Sequence, residues 1–256
     1  MFTLAAFDEI RAAVTVLEPL DAVDDDHITA VGNDLIVPKF NNLAGMYAGH
    51  GVTAVAGSGS QAYIDSPSLR RMTRHEIAAI DNFENVPPPG LPQMFQKNPI
   101  PLDEGEALNA YLANTAVAAN GRGMAGVWFS DGPIAPIDGE IRTILATSVV
   151  AGDLGEWSSG PLTLAYDLPV GRYQLVGARC LAGATSGLFR FIFVDMWQRP
   201  GGVSVRHIND DDLSAFRNGI MGVWGEFGHR ALPRLEVLNI ETVANPDVYL
   251  DVIKVS

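Results

Sequence analysis

Serine and cysteine side chains are the first candidates for chemistry, because either becomes a nucleophile beside a histidine that a carboxylate orients. Residues 57–60 read Gly-Ser-Gly-Ser, but they lack the Gly-x-Ser-x-Gly form and no strand-to-helix turn follows them. Cys180, the single cysteine, lies within a strand-like segment, which indicates a buried structural thiol, whereas the neighbouring Arg179 would favour a thiolate if the side chain were exposed. We therefore expect no catalytic residues and no enzymatic activity.

Histidine and aspartate are the candidates for a metal site. No two histidines lie at the i, i+2 or i, i+4 spacing of metal ligands, and the His-x-His pair of metal-binding jelly rolls is absent. Aspartates at 24–26 and 210–212 offer carboxylate oxygens, but neither run has the spacing and glycine bend of a calcium loop. Both runs fit solvated turns, so we predict that no metal is bound.

Glycine-rich segments and paired carboxylates do not indicate a cofactor or substrate site. A Gly-x-x-x-x-Gly-Lys loop is absent, and the Gly-Arg-Gly of residues 121–123 is too short to cradle a phosphate. A glycosidase needs two carboxylates across a cleft, but among 30 acidic residues some pair can always be nominated. The sequence therefore predicts no cofactor.

Tryptophan rings are the candidates for a sugar-stacking platform in a lectin-like β-sandwich. The chain has four of them, Trp128, Trp157, Trp197 and Trp224. Three lie beside apolar strand neighbours, a context that favours packing in a core or an interface. A carbohydrate-binding module is therefore the alternative hypothesis for this chain.

Composition and charge restrict the partners. The chain has 256 residues, of which 47% are hydrophobic, and a formal net charge of -13. This length suits one large domain or two compact ones. The acidity disfavours a nucleic-acid partner, because phosphate neutralisation by basic residues supplies most of that affinity. The one basic cluster, at residues 70–75, fits the solvated face of a short helix.

No segment of the sequence indicates a transmembrane helix or a secretion signal. The apolar runs are shorter than the roughly 18 residues that a membrane-spanning helix needs. The first twenty residues contain Asp8, Glu9 and Glu18 and lack a basic start. We therefore predict no signal peptide.

The first half of the chain mixes strand patterns with two helical patterns. Apolar residues at helical spacing predict an amphipathic helix over residues 4–17. Strand pairs are predicted at 28–31 with 35–37 and at 52–56 with 61–64. Ser66 as a cap and Pro67 at the first position predict a helix that ends near Asn82. Residues 104–119 fit a helix or a strand, and their loop-like ending favours a strand followed by another at 124–130.

Residues 86–101 form a proline-rich arm. Six prolines in this stretch oppose regular structure and favour an extended segment. Its apolar residues suit a docking strand, whereas a flexible spacer would be rich in glycine and serine. These candidate contact residues are Leu91, Met94, Phe95 and Ile100. We predict that the arm works in assembly or packs between two domains, with Phe95 as its main contact.

The second half reads as a series of eight strands. They cover residues 140–150, 162–166, 172–181, 188–195, 202–205, 220–228, 235–240 and 248–255. Turn residues separate them, and apolar positions alternate with polar ones in the last strand. Short strands at intervals of about ten residues predict a β-sandwich or jelly roll. The fold class is therefore all-β, with one or two short helices.

The number of strands predicts the domain organisation. Eight strands complete one jelly roll, and the first half supplies six or seven more. We favour two jelly-roll β-sandwiches in tandem: a β-rich domain with the arm over residues 1–130, and an eight-stranded roll over residues 131–256. The alternative is a single β-sandwich with N-terminal decoration.

This organisation resembles the jelly-roll capsid proteins of viruses, including the double-jelly-roll major capsid type of certain tailless phages. The strand series over 140–255, the helix from Pro67 and the arm between β regions carry the resemblance. It implies a structural protein of the virion, assembled in the host cytoplasm, whose partners are copies of itself and minor capsid proteins. Exposed apolar surface over residues 221–227 would supply contacts, with Trp224 and Phe227 as the candidates.

Overall fold

The computed structural model describes residues 1–10, 14–51, 60–70, 75–77, 80–81, 92–114, 122–151, 155–181, 187–204, 214–238 and 243–255. In these residues the regular secondary structure is almost entirely β-strand, with one four-residue α-helix and one 3-10 turn. The predicted all-β fold class is confirmed. Contacts divide the chain into an N-terminal unit, residues 5–132, and a C-terminal unit, residues 133–256 together with 1–4. The boundary predicted from the sequence follows residue 130.

The N-terminal unit is built from two antiparallel sheets. Its strands are β1 (Phe2–Ile10), β2 (Val14–Pro19), β3 (Ala30–Val31), β4 (Asp34–Ile36), β5 (Asn42–Gly51), β6 (Ser60–Asp65), β7 (His75–Ile77), β8 (Ile80–Asp81), β9 (Gln93–Met94), β10 (Ile100–Pro101), β11 (Ala107–Asn114) and β12 (Arg122–Ser130), with helix α1 (Pro67–Arg70) after β6. One sheet has the order β1-β12-β5-β10, with β8 and β9 also on β5. The other has the order β3-β4-β11-β6-β7, with β2 also on β11. Buried side chains from both sheets form one core.

The strand pairs of this unit nest as they do in a jelly roll. In chain order its main strands are β1, β2, β5, β6, β7, the segment that holds β9 and β10, β11 and β12. The first pairs with the eighth, the second with the seventh, the third with the sixth and the fourth with the fifth. This nesting is the two Greek keys of a jelly roll. The described residues of the arm therefore form an edge strand of the N-terminal roll.

The C-terminal unit repeats the same nesting. Its eight main strands are β13 (Arg142–Ser148), β15 (Ser158–Leu164), β16 (Arg172–Leu181), β17 (Leu188–Ile192), β18 (Gly201–Val203), β19 (Gly225–Gly228), β20 (Arg234–Leu238) and β22 (Asp247–Lys254), while β14 (Val150–Ala151) and β21 (Val243–Ala244) pair separately. They form one curled sheet in the order β18-β17-β20-β15-β13-β22-β16-β19. The antiparallel pairs β13–β22, β15–β20, β16–β19 and β17–β18 again nest from the outermost to the innermost. The eight strands predicted in this half are present in the predicted order, although several are shorter than predicted; residues 220–224, for example, precede β19 and are not strand. The chain contains two jelly rolls in tandem.

The helix predicted over residues 4–17 is wrong, because β1 and β2 occupy the described part of this range. The apolar residues Ala6, Ile10 and Val14 are four positions apart, a spacing that fits a two-residue repeat as well as a helical one. Residues 4–7 are all buried. A strand that is buried on both faces lacks the apolar–polar alternation that would have identified it.

The helix predicted from Pro67 to Asn82 is wrong over residues 75–77 and 80–81. It begins as predicted, since the backbone N–H of Leu69 donates to Ser66 Oγ over 3.2 Å. Residues 75–77 and 80–81, however, are strands β7 and β8, and β7 pairs with β6. The local pattern favours a helix here, but residues 75–77 pair with β6 as a strand. Residues 71–74, 78–79 and 82 lie outside the described residues.

The other strands predicted in the first half are confirmed where the structure describes them. Strands β3 and β4 form the predicted hairpin, with Gly32 at a φ of 60° in the turn. Strands β6, β11 and β12 match the segments predicted near 61–64, 107–115 and 124–130. The strand predicted at 52–56 lies outside the described residues. In the described part of the chain, no helix has the length and apolar character needed to cross a membrane.

Candidate functional site

The residues with potential chemistry lie apart in the fold. Within the described residues, no group of three or more His, Cys, Asp or Glu side chains is arranged to hold a metal ion. Cys180 is buried in β16, and this burial raises the pKa of its thiol. A raised pKa keeps the thiol protonated at neutral pH, which fits the structural role predicted for it. Ser58 lies outside the described residues.

The four tryptophans occupy different environments. Trp128 and Trp224 are enclosed, with exposures of 0% and 1%. Trp157 lies under the guanidinium of Arg190, whose Cζ is 3.9 Å from the ring centroid. Trp197 is exposed in the loop between β17 and β18. Two of the rings are thus enclosed in the fold and a third stacks against a buried cation.

The C-terminal unit buries three charged side chains around one carboxylate. Arg190 on β17 and Glu236 on β20 are a cross-strand pair, and Arg190 Nε lies 2.6 Å from Glu236 Oε2. Arg199 Nη1 lies 2.9 Å from each oxygen of the same carboxylate. The exposures of these side chains are 0% for Arg190, 7% for Glu236 and 8% for Arg199. Glu236 therefore pairs with both buried guanidinium groups through one carboxylate.

This buried charge cluster also holds the first residues of the chain. The backbone N–H of Leu4 donates to the Arg199 carbonyl over 3.0 Å, and Arg190 Nη1 donates to the Leu4 carbonyl over 3.3 Å. The backbone N–H of Arg199 donates to Thr3 Oγ1 over 3.1 Å. Residues 1–4 are therefore a packed part of the C-terminal unit, although residues 5–132 separate them from the rest of it in sequence.

A second buried carboxylate, Asp251 on β22, accepts hydrogen bonds at both oxygens. Arg217 donates through Nε to Oδ2 over 2.6 Å and through Nη2 to Oδ1 over 2.9 Å. The Asn218 backbone N–H donates to Oδ2 over 2.9 Å, and Thr143 Oγ1 donates to Oδ1 over 2.7 Å. Burial alone would raise the pKa of Asp251, but these donors together outweigh it and hold the pKa below its ordinary value of 3.8. The cluster connects the loop before β19 to the centre of the sheet.

Asp251→Asn is expected to lower the free energy of unfolding at neutral pH by about 2 kcal/mol, because the buried donors lose a charged acceptor. The folded-state pKa lies below the unfolded-state value, so the carboxylate contributes its full stabilisation above that ordinary value. The contribution is lost as pH falls through the folded-state pKa. Urea unfolding of both proteins at neutral and acidic pH measures the difference. A difference that does not shrink in acid would contradict this account.

The arm residues predicted to mediate assembly contact the N-terminal roll. Met94 pairs with Gly45, and a Cβ at Gly45 would stand 2.5 Å from the Met94 sulfur, so the glycine makes room for it. Phe95 and Ile100 are partly buried against the core of this unit, and the Phe95 N–H donates to the Ala44 carbonyl over 2.8 Å. Leu91 lies outside the described residues. The role of these residues in assembly stays a prediction.

Phe95→Ala is expected to lower the free energy of unfolding by about 1–2 kcal/mol, because the ring packs against the core but is only partly buried. Thermal or urea unfolding of the purified protein measures this loss. Val31→Ala, at an exposed hairpin position, is the control and is expected to match the parent. If Phe95→Ala unfolds like the control, the arm is only a tether.

Trp224 and Phe227 lie in the core of the C-terminal unit. The Trp224 ring meets Phe2 edge-on at 5.4 Å and stacks near Phe189 at 6.3 Å, and Phe227 stacks on Tyr173 at 5.8 Å. Met221 is also buried, so the prediction of an exposed apolar patch over 221–227 is wrong. The aromatic residues of this segment fill the roll. A contribution of Trp224 or Phe227 to assembly stays a prediction.

Exposed apolar side chains gather instead at one end of the C-terminal roll, which we call the apolar end. It consists of Tyr166, Val170, Val194, Trp197 and Val255. Strands β15 and β17 are both antiparallel to β20, so the loops that follow them, 165–171 and 193–200, lie at the same end. Val255 joins this end because its N–H donates to the carbonyl of Arg172, the first residue of β16, over 2.9 Å.

A groove of about 750 Å³ lies beside the apolar end, between the loop 165–169 and the ends of β13 and β22. Its lining includes the apolar residues Ile144, Leu145, Leu168, Pro169 and Val252. Its charged side chains are Glu140, Arg142, Asp167 and Lys254, two acids and two bases. No prediction from the sequence included this surface. The signal that could have indicated it is the turn segment 165–171, which carries the apolar residues Tyr166 and Val170.

Comparisons with protein-family models, with curated proteins and with solved structures found no match to this chain.

Proposed function

We propose that this protein is a self-assembling structural protein, the major capsid or shell component of a virus-like particle. The observation that carries the proposal is that one jelly roll is repeated in both units with the same nesting of strand pairs. Jelly rolls build many viral shells, although lectins and cupins use the same fold, so the fold by itself is an analogy. In this proposal the protein acts in the virion, with copies of itself and minor capsid proteins as partners and without catalysis.

The build of the C-terminal roll supports the proposal. Seven residues connect β15 to β16 and five connect β19 to β20. Short connections keep the sides of a roll compact, which suits a subunit that packs against copies of itself. Two buried groups hold parts of the sheet together. The charge cluster around Glu236 joins β17 to β20, and Asp251 joins β22 to the loop before β19. A shell subunit needs this kind of fixed geometry, because lattice contacts must repeat.

The apolar end gives the second line of support. Tyr166 and Val194 are each 88% exposed, and Val170 is 76% exposed. Single exposed apolar residues are ordinary, whereas several gathered at one end of a domain mark an interaction site. An assembly contact would remove this apolar surface from water.

A carbohydrate-binding β-sandwich is the alternative function. A carbohydrate-binding site of this kind needs tryptophan rings that are open to a sugar. The exposed ring of Trp197 favours this function. Trp128 and Trp224 are buried and offer no open face to a sugar, and Arg190 covers one face of Trp157. We therefore favour assembly.

Negative-stain electron microscopy and sedimentation velocity of the purified protein test the proposal. Regular particles, tubes or sheets, together with a concentration-dependent sedimentation coefficient, are the expected result. A protein that stays monomeric at every concentration and salt condition would contradict it. Binding to immobilised glycans by such a monomer, lost in Trp197→Ala, would support the carbohydrate-binding alternative.

A further inference from the structure

The apolar end stands out by its charge as well as by its exposure. The chain carries a net charge of -13, so two copies repel each other over most of their surfaces. In the groove beside the apolar end, Glu140 and Asp167 are balanced by Arg142 and Lys254. Lys254 is one of only three lysines in the chain. Here two acidic subunits can approach without adding like charge to like charge.

The same surface holds the most exposed apolar side chains of the described residues. Tyr166 and Val170 lie in the loop that forms one wall of the groove, and Val255 follows the strand that forms the other. Water-exposed Tyr and Val beside an apolar groove offer both a protrusion and a recess. A surface that carries both can be complementary to itself, which a contact between two identical patches requires.

We propose that the apolar end docks on the apolar end of a second copy of this chain, so that each copy covers the groove, Tyr166 and Val170 of the other. The contact rests on the proposed assembly function and names one of the subunit interfaces that it needs. The charged side chains of the groove, Glu140, Arg142, Asp167 and Lys254, which we call its charged rim, contain equal numbers of acids and bases. A second copy can therefore approach this rim without net charge repulsion. The apolar residues inside this rim exclude water at the centre of the contact.

Sedimentation velocity of a double variant is the first test. Tyr166→Ser combined with Val170→Ser is expected to weaken self-association by about tenfold or more, because two of the three most exposed apolar side chains of the apolar end are removed. Val16→Ser combined with Val31→Ser removes comparably exposed apolar residues from the N-terminal unit and is the matched control. Urea unfolding of both variants shows whether either change affects the fold. Equal self-association of the two variants would overturn the inference.

The charged rim is tested separately with Arg142→Glu, which leaves the groove with an excess of negative charge. Self-association of this variant is expected to weaken at low ionic strength and to recover as salt is added, because added ions screen the repulsion. A variant that associates like the parent at low salt would show that the rim does not face a second copy.

Crosslinking tests the geometry directly. Cys180 is buried, so the parent chain has no exposed thiol among its described residues. Val170→Cys is expected to give a covalent dimer with a short bis-maleimide, whereas Val31→Cys at the exposed hairpin is expected to stay monomeric on a denaturing gel. Dimers from Val31→Cys alone would overturn the inference.

The outcomes separate this inference from the function on which it rests. If the parent never self-associates, the assembly function itself fails. If the parent forms particles and the Tyr166→Ser, Val170→Ser variant forms them equally well, only the end-to-end contact fails. Flotation with phosphatidylcholine vesicles covers the other occupant of such a surface. Flotation of the parent that is lost in the variant, with unchanged self-association, would identify a lipid-binding end and overturn the inference.

Discussion

Glu236→Ala is expected to destabilise the C-terminal unit by about 3–5 kcal/mol, enough to unfold it under many conditions. The substitution leaves the guanidinium groups of Arg190 and Arg199 buried without the carboxylate that lies 2.6 to 2.9 Å from them. Neither group can return to water without opening the sheet or releasing residues 1–4, which hydrogen-bond to both arginines. The loss of the buried negative charge that both guanidinium groups share, rather than the lost contacts, accounts for most of the effect.

Urea unfolding followed by tryptophan fluorescence measures this loss, because Trp157 stacks on Arg190 and Trp224 lies in the same unit. Glu226→Ala is the matched control, since Glu226 also pairs with an arginine, Arg172, but is 42% exposed. Exposed pairs contribute little, so the control is expected to lose less than about 1 kcal/mol. Equal losses for the two variants would show that burial does not set the strength of the Glu236 cluster.

A compensating variant sharpens this prediction. A triple variant, Arg190→Met, Glu236→Leu and Arg199→Met, is expected to recover part of the stability that Glu236→Ala loses. Buried charges are expensive to desolvate, and an apolar replacement of the whole set removes the charges together with their compensation. If the free energy of unfolding of the triple variant is lower than that of Glu236→Ala, the hydrogen bonds to residues 1–4 dominate the cluster.

Truncation after Asn245 is expected to abolish the folded C-terminal unit. Strand β22 lies in the middle of the eight-stranded sheet, between β13 and β16, and pairs with both along almost its whole length. Val248, Leu250 and Val252 on β22 are buried, and each contributes about 1.5–3 kcal/mol. Their sum, together with the ladder hydrogen bonds on both sides, is comparable with the total stability of a typical domain.

Circular dichroism and thermal unfolding of the truncated chain measure this effect. Truncation after Lys254 is the control, because it keeps β22 intact and removes only the exposed Val255 and the last residue, Ser256. The control is expected to unfold cooperatively near the parent midpoint. A chain that ends at Asn245 and still shows the cooperative transition of the C-terminal unit would contradict the central position of β22.

The local pattern of the sequence was sufficient for the strands of the second half. In β22 the buried residues Val248, Leu250 and Val252 alternate with residues of the other face, so one strand displays the period of the sheet. Turn residues between the strands act locally as well, because glycine and proline restrict the backbone whatever the rest of the chain does. Counting these strands therefore predicted a jelly roll before any contact was known.

Local pattern was not sufficient where burial or pairing overrode it. Residues 4–7 are buried on both faces of β1, so they show no alternation, and a four-residue spacing then suggested a helix. The segment 75–77 is a strand because it pairs with β6. The residues of the segment do not by themselves reveal this pairing. In both cases the deciding contacts are made with residues outside the segment itself.

The sequence by itself determined that this protein is a series of short antiparallel strands, because alternation and turn residues are properties of neighbouring positions. The tertiary structure decided which side chains meet. Glu236 lies 46 residues from Arg190, and the nesting of strands brings them to one buried cluster. The same nesting enclosed Trp224 and Phe227, which sequence had suggested for the surface, and placed the loops with Tyr166 and Val194 at one end. Strand order sets these positions, and strand order depends on pairing free energies summed over the whole roll, which no local stretch of sequence contains.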